Sequence, residues 1–233
     1  MDNNQNNNRD NNLVVGTPAA NVEFKYTCLL GMVKVAKTLK MIGGAKDFLL
    51  IRNEYLELAK SLTELKDRGE SGVLVTGEEG IGKSIFLLYL LLHRLEQKLP
   101  TAIQFAADRY TIFDEKGASS VLSGEDLGED ERLSKCWALT DSNMNLTTPS
   151  GSFLSTPEFL IQMALPGSQR WVKQTSACVI VSKPPSSFEI AAIMKELGYN
   201  PIDAFHLIGK WGFSIRTIIQ QSSGLHIAAV LRP

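Results

Sequence analysis

One eight-residue run restricts what this chain can fold into more than any other: Gly77-Glu78-Glu79-Gly80-Ile81-Gly82-Lys83-Ser84. It fits the pattern G-x-x-x-x-G-K-[ST] at every fixed position, and its flanks supply the context that pattern needs. Val73-Leu74-Val75-Thr76 precedes it and reads as a buried parallel strand. Ile85 to Arg94 follows it, apolar and long enough for a buried helix. Strand, glycine turn and helix in that order make an anion cradle. Glycine permits backbone angles and close approaches that a Cβ would block. Successive N–H groups then converge, reinforced by the positive end of the helix that opens near Lys83. In such a cradle Gly77, Glu78, Glu79, Gly80, Ile81 and Gly82 lend backbone, Lys83 reaches the β- and γ-phosphates, and the Ser84 hydroxyl ligates magnesium. Glu78 and Glu79 put two negative charges inside an anion site. Their side chains are expected to face water and to weaken phosphate affinity through Coulomb repulsion.

A nucleoside triphosphate site also needs a carboxylate at the end of a neighbouring strand, on the magnesium side. Asp141 is the candidate. It closes the apolar run Lys135 to Thr140 and lies 58 residues after Lys83, a spacing that suits an extra strand between the two motif strands. The bland alternative is a turn aspartate, given Ser142 and Asn143 beside it. Hydrolysing enzymes often place a glutamate directly after this aspartate as the base for water; here the next residue is Ser142. Ser182 ends the run Ala177 to Val181 and is read as closing the strand after that of Asp141, where it would sense the terminal phosphate. Turn chemistry before Pro184-Pro185 is the competing reading. Gly212-Phe213-Ser214-Ile215-Arg216 opens a helix that would deliver Arg216 to the phosphates. Arg170 and Lys173 are weaker candidates for that role.

Residues 1–12 are almost all Asn, Gln, Asp and Arg, a low-complexity tail expected to be disordered. Residues 13–70 form a segment leading into the core, and residues 71–233 form the core itself, expected to be cut short at its C-terminus. Val22 to Cys28 alternates as a strand, Leu29 to Leu39 recurs at helical spacing, and Phe48 to Ile51 is a short strand. Tyr55, Leu58, Ala59, Leu62 and Leu65 form the apolar face of a helix capped by Asn53. Thr101 to Ala106 and Tyr110 to Phe113 read as strands, and Gly117 to Glu131 as a surface loop. Ser186 with Glu189 makes a capping box, and Asn200-Pro201 starts a further helix. Strands alternating with helices give an α/β fold: a P-loop NTPase three-layer sandwich with a mostly parallel sheet.

The net charge of −1 argues against a protein that coats nucleic acid. Three separated cysteines lack metal-ligand spacing and fit a reducing, intracellular setting, cytoplasmic or nuclear, with a secreted-effector route left open. The polar N-terminus is unlike a signal peptide, and no apolar run has the length of a membrane span.

The order of blocks is Arg52-Asn53-Glu54-Tyr55, Gly77 to Ser84, Trp137 to Asp141, Trp171-Val172-Lys173-Gln174, Val179 to Pro185 and Gly212 to Arg216. It resembles the NTPase domain of Crinkler-type effectors and retrotransposon hot spot proteins, relatives of the AAA+ and STAND groups. The resemblance spans about residues 46 to 220 and is specific only in the glycine turn. It implies an ATP-binding domain, with Asp141 on the magnesium side, Ser182 as first sensor and Arg216 as second. The expected function is magnesium-dependent ATP binding with slow or conditional hydrolysis, as a switch or assembly module. The alternative is a catalytically silent nucleotide-binding interaction protein. A phosphotransferase would want an arginine-rich lid, and Gly117 to Glu131 is acidic. The absence of an Asn-Lys-x-Asp guanine motif favours ATP. A homo-oligomer or another protein partner is left open, with nucleic acid and membrane disfavoured.

Overall fold

The computed structural model describes residues 25–39, 46–123, 131–142, 146–167 and 170–230. The expected tail, residues 1–12, and the start of the first strand, Val22 to Phe24, lie outside them, as do residues 124–130 of the expected acidic loop. The described chain opens with an antiparallel pair, β1 (Thr27–Leu30) and β2 (Phe48–Ile51), with helix α1 (Met32–Thr38) between them. Leu29 therefore belongs to a strand and not to the helix expected from its spacing. Gly31, at φ 80°, breaks the chain between the two.

Helix α2 (Asn53–Asp67) begins at Asn53 itself, with Arg52 in the cap position. Asn53 is not the cap; its N–H is taken by the Glu189 carboxylate at 3.2 Å. Strand β3 (Gly72–Thr76) leads into the glycine turn and helix α3 (Lys83–Glu96). Then come β4 (Thr101–Ala106), β5 (Arg109–Asp114), β6 (Gly117–Leu122), β7 (Trp137–Asp141), α4 (Gly151–Ser155), β8 (Phe159–Met163), α5 (Arg170–Thr175) and β9 (Cys178–Val181). Three helices follow: α6 (Ser187–Glu196), α7 (Asp203–Trp211) and α8 (Ile215–Val230).

The main sheet has seven strands in the order β6-β5-β4-β7-β8-β3-β9. Neighbours from β4 to β9 are parallel, and β5 and β6 add an antiparallel edge. Residues 117–122, expected as loop, are thus strand β6. Its partly polar face lies at the sheet edge, where solvation does not penalise it.

Each strand alternates between two apolar layers. Val73, Val75, Ile103, Leu139 and Ile161 pack with Tyr55 and Leu62 of α2 and Phe86 and Leu90 of α3. Leu74, Ala102, Ala138 and Leu160 face the other way, toward Phe153 of α4 and Trp171 and Val172 of α5. Helices therefore cover both faces, as a parallel sheet requires. The C-terminal helices form their own cluster from Ile190, Met194, Ala204, Leu207 and Ile218. The β1–β2 pair joins them where Leu50 meets Ala192 and Ile193.

Strand β8 is not announced by its sequence, because Gln162 interrupts its apolar run. That glutamine is fully buried: its Oε1 accepts from the Trp171 indole N–H and its Nε2 donates to Thr147 O at 3.4 Å. It pins α5 and the segment after β7 to the central strand. Gln162→Ala strands the indole donor and opens a cavity, so unfolding in urea should show a loss of about 2–4 kcal/mol. An unchanged midpoint would contradict this account.

Candidate functional site

Parallel strands end together at one edge, and that edge holds the chemistry. Thr76 ends β3, Asp141 ends β7, and β8, which follows Asp141 along the chain and was not expected, lies between them. The glycine turn rises from β3 and closes into α3 at Lys83. Two glycines in it are sterically required. Gly80 has φ +79°, and a Cβ there would collide with Ser214 Oγ. Gly82 has φ +100°, and a Cβ there would sit 2.6 Å from the Tyr55 hydroxyl.

The turn is held from behind. Arg52, 2% exposed, donates from Nη1 to Ile81 O at 2.7 Å and from Nη2 to Lys183 O at 3.2 Å. Its Nε lies 3.5 Å from the Glu189 carboxylate, and the guanidinium stacks 5.1 Å above the Tyr55 ring. The Tyr55 hydroxyl donates to Gly82 O at 3.0 Å. Glu54 accepts from Lys183 N–H at 2.9 Å. Apolar spacing alone marks Tyr55 as core and gives Arg52 and Glu54 no role. The signal was an arginine placed directly after the apolar strand Phe48 to Ile51, a core position where a charge needs a reason.

In front of the turn the ionisable groups converge. Lys83 Nζ donates to Gly77 O at 2.8 Å and Glu78 O at 2.5 Å. Its pKa is lowered, chiefly by burial, against the opposing pull of Asp141, Glu79 and Glu78. Ser84 lies close enough to Asp141 for its hydroxyl to lower the carboxyl's pKa, and Lys83 and Arg216 act on the same carboxylate in the same direction. Arg216 pairs with Glu79. Helix α8 does deliver Arg216 to the turn: its Cβ would lie 3.1 Å from a Cβ on Gly80.

Lys83, Ser84, Asp141, Glu79 and Arg216 are thus brought together, and Glu78 and Glu79 are exposed as expected. Ser182 is not where it was expected. The strand after that of Asp141 is β8, and Ser182 follows β9 on the far side of β3. Its N–H donates to Thr76 O at 2.7 Å, and its carbonyl backs Gly77. It braces the base of the turn, because the overlooked strand shifts every later strand by one place. Lys173 is exposed on α5, which covers the opposite sheet face from α3, as does the backbone of Arg170.

Ser84 and Asp141 make a two-oxygen donor pair, which suits a magnesium ion that takes few protein ligands and completes its shell from phosphate and water. No group of three or more His, Cys, Asp or Glu that would suit a metal occurs among the described residues. No described helix is long and apolar enough to cross a membrane. No protein-family model matches the chain, and no curated protein matches it.

Burial is the largest influence on Asp141 and pushes its carboxyl up to about 6, against the lowering effects of the Ser84 hydroxyl, Lys83 and Arg216. A carboxyl raised in the fold favours folding while protonated. Stability is therefore lost as pH rises from about 4 to about 6 and stays reduced above that. Ligand-free Asp141→Asn should melt on the order of 2–4 °C above the wild type at pH 7.5 and level with it near pH 4. Thermal denaturation at the two pH values checks this, and an equal shift at both would refute it.

Proposed function

We propose that the chain binds a nucleoside triphosphate, ATP in preference, with magnesium, at the edge formed by the glycine turn and the end of β7. The observation that carries this reading is the meeting of Lys83, Ser84 and Asp141 in front of a turn whose glycines have the left-handed angles of an anion cradle. The resemblance to Crinkler-type and retrotransposon hot spot NTPase domains points the same way. The order of the parallel strands supports it too, since one strand separates that of the turn from that of Asp141.

On this reading the backbone N–H groups of the turn hold the phosphate chain and Lys83 supplies a point charge to its terminal groups. Burial lowers the pKa of half-buried Lys83, and an anion beside it would oppose that shift. Ser84 and Asp141 hold the cation. Magnesium held there would offset the charge of the phosphates. Asp141, raised to about 6 in the free protein, is drawn to its ionised form by any cation placed against it. Arg216 is placed to offset charge that develops on the outer phosphate.

Turnover is slow or conditional on this reading. Ser142, which follows Asp141, has its N–H bound to Met163 O at 2.7 Å and offers no carboxylate to activate water. The same observation favours the second reading, a catalytically silent nucleotide-binding interaction protein.

Lys83→Ala should lower binding of a fluorescent ATP analogue by at least 100-fold while leaving the melting curve of the free protein near that of the wild type. Unchanged binding by that variant removes the proposal. Retained binding by the wild type with no phosphate release under saturating ATP and magnesium selects the silent reading.

A further inference from the structure

Glu79 sits in the middle of the turn, where a negative charge opposes the phosphate chain that the turn is proposed to hold. The structure gives that charge a partner, the Arg216 guanidinium. Resting on the nucleotide reading above, we propose that Glu79 is a resident counter-anion for Arg216, which an incoming polyphosphate must displace before Arg216 can serve the ligand.

Three features make the exchange feasible. First, the pair is open to water, with Arg216 62% and Glu79 65% exposed, so separating it meets only a small barrier. Second, the backbone of Arg216 is anchored while its guanidinium is not. Its Cβ and N would lie 3.1 and 3.5 Å from a Cβ on Gly80. Ser214 Oγ accepts from Thr217 Oγ1 at 3.0 Å, and fully buried Ile218 fixes the first turn of α8 in the core of the C-terminal helices. The guanidinium therefore swings between Glu79 and a nearby anion without the helix leaving the turn.

Third, the cations of the turn are already matched in the free protein: Lys83 and Arg216 face three carboxylates, Asp141, Glu79 and Glu78. A polyphosphate adds several negative charges at the turn. The carboxylate that becomes least favourable is Glu79: it stands exposed in the turn itself and loses its ion-pair partner once Arg216 has moved. Glu79 thus sets an affinity ceiling on the site and makes ligands compete for Arg216. A ligand whose outermost phosphate does not reach Arg216 leaves the pair intact. The exchange consequently discriminates between phosphate chains by length.

The experiment is calorimetric titration of the whole chain with ATP and with ADP, in magnesium, for wild type, Glu79→Gln, Arg216→Gln, the double variant and Lys83→Ala. Glu79→Gln should bind ATP about 3- to 10-fold more tightly than the wild type and gain less for ADP. Arg216→Gln should weaken ATP binding, and adding Glu79→Gln to it should restore nothing. Two results overturn the exchange: no gain in Glu79→Gln, or a gain that persists undiminished without Arg216, which would be plain repulsion. If the wild type binds ATP and Lys83→Ala does not, those results sink the exchange alone. If the wild type binds no nucleotide, both readings fall. Both side chains are solvent-exposed, so the melting curves of the two single variants should match the wild type and exclude misfolding as the cause.

Discussion

The buried guanidinium of Arg52 is the constraint on which the rest of the site depends. A charge in a protein interior is tolerated only when its donors are engaged, because its desolvation is otherwise unrecovered. Arg52 meets that condition at two donors, Nη1 to Ile81 O in the glycine turn and Nη2 to Lys183 O after β9, while its Nε makes no hydrogen bond and has the Glu189 carboxylate of α6 at ion-pair distance, 3.5 Å. Glu189 in turn serves two helices. It closes the capping box with Ser186 and accepts from Asn53 N–H at the start of α2. A negative charge at two helix N-termini is favourable at both. The shape of the turn is therefore set jointly by its glycines and by a cation bonded to its carbonyls from the rear. This frees the N–H side, because the rear contacts use only carbonyl oxygens of the turn: Ile81 for Arg52 and Gly82 for Tyr55.

The interposed strand β8 sets the dimensions of the site. Strands two places apart in a sheet are about 9–10 Å apart at their axes. Asp141 would be out of reach of a group lying in the plane of β3. Ser84 is instead on α3, raised over the sheet by the turn, and from there its hydroxyl comes close enough to act on the carboxylate. Met163 and Ala164, at the end of β8, are buried and apolar, so the ionisable groups gathered at this edge come from the turn, β7 and α8.

What could be read from the sequence was local chemistry. The glycine turn, the capping box of α6 and the helix that carries Arg216 each depend on residues within a few positions of one another, and each stands where its spacing puts it. What could not be read depended on partners far along the chain. Gln162 looked like a break in an apolar run, yet in register it lies between Thr140 and Leu74, with Trp171 supplying its hydrogen bond. Missing β8 moved Ser182 to the wrong side of β3, a topological error and not one of propensity. Gly117 to Leu122 carries too little apolar character to announce a strand, and it becomes one because β5 offers it an unpaired edge. Leu29 fits a helical period equally well as a strand end, and Gly31 decides between them only through a backbone angle that spacing does not encode.

The C-terminal helices touch the turn at two places of opposite character. One is at the rear, where α6 sets the partly exposed Glu189 against buried Arg52; the other is the front contact of Ser214 and Arg216 with Gly80 and Glu79, open to water. Their own core is separate from the two layers of the sheet, so they can respond as a unit. Breaking the rear contact would leave a buried cation unpaired, whereas rearranging the front contact costs little more than an exposed ion pair. A perturbation at the turn is thus channelled forward, into the first turn of α8, and is resisted behind. Because linkage is reciprocal, whatever biases the position of α8 biases the charge presented to the turn by the same free energy. This asymmetry between a fixed rear and a compliant front is what would let one rigid turn act as a switch without deforming its own backbone.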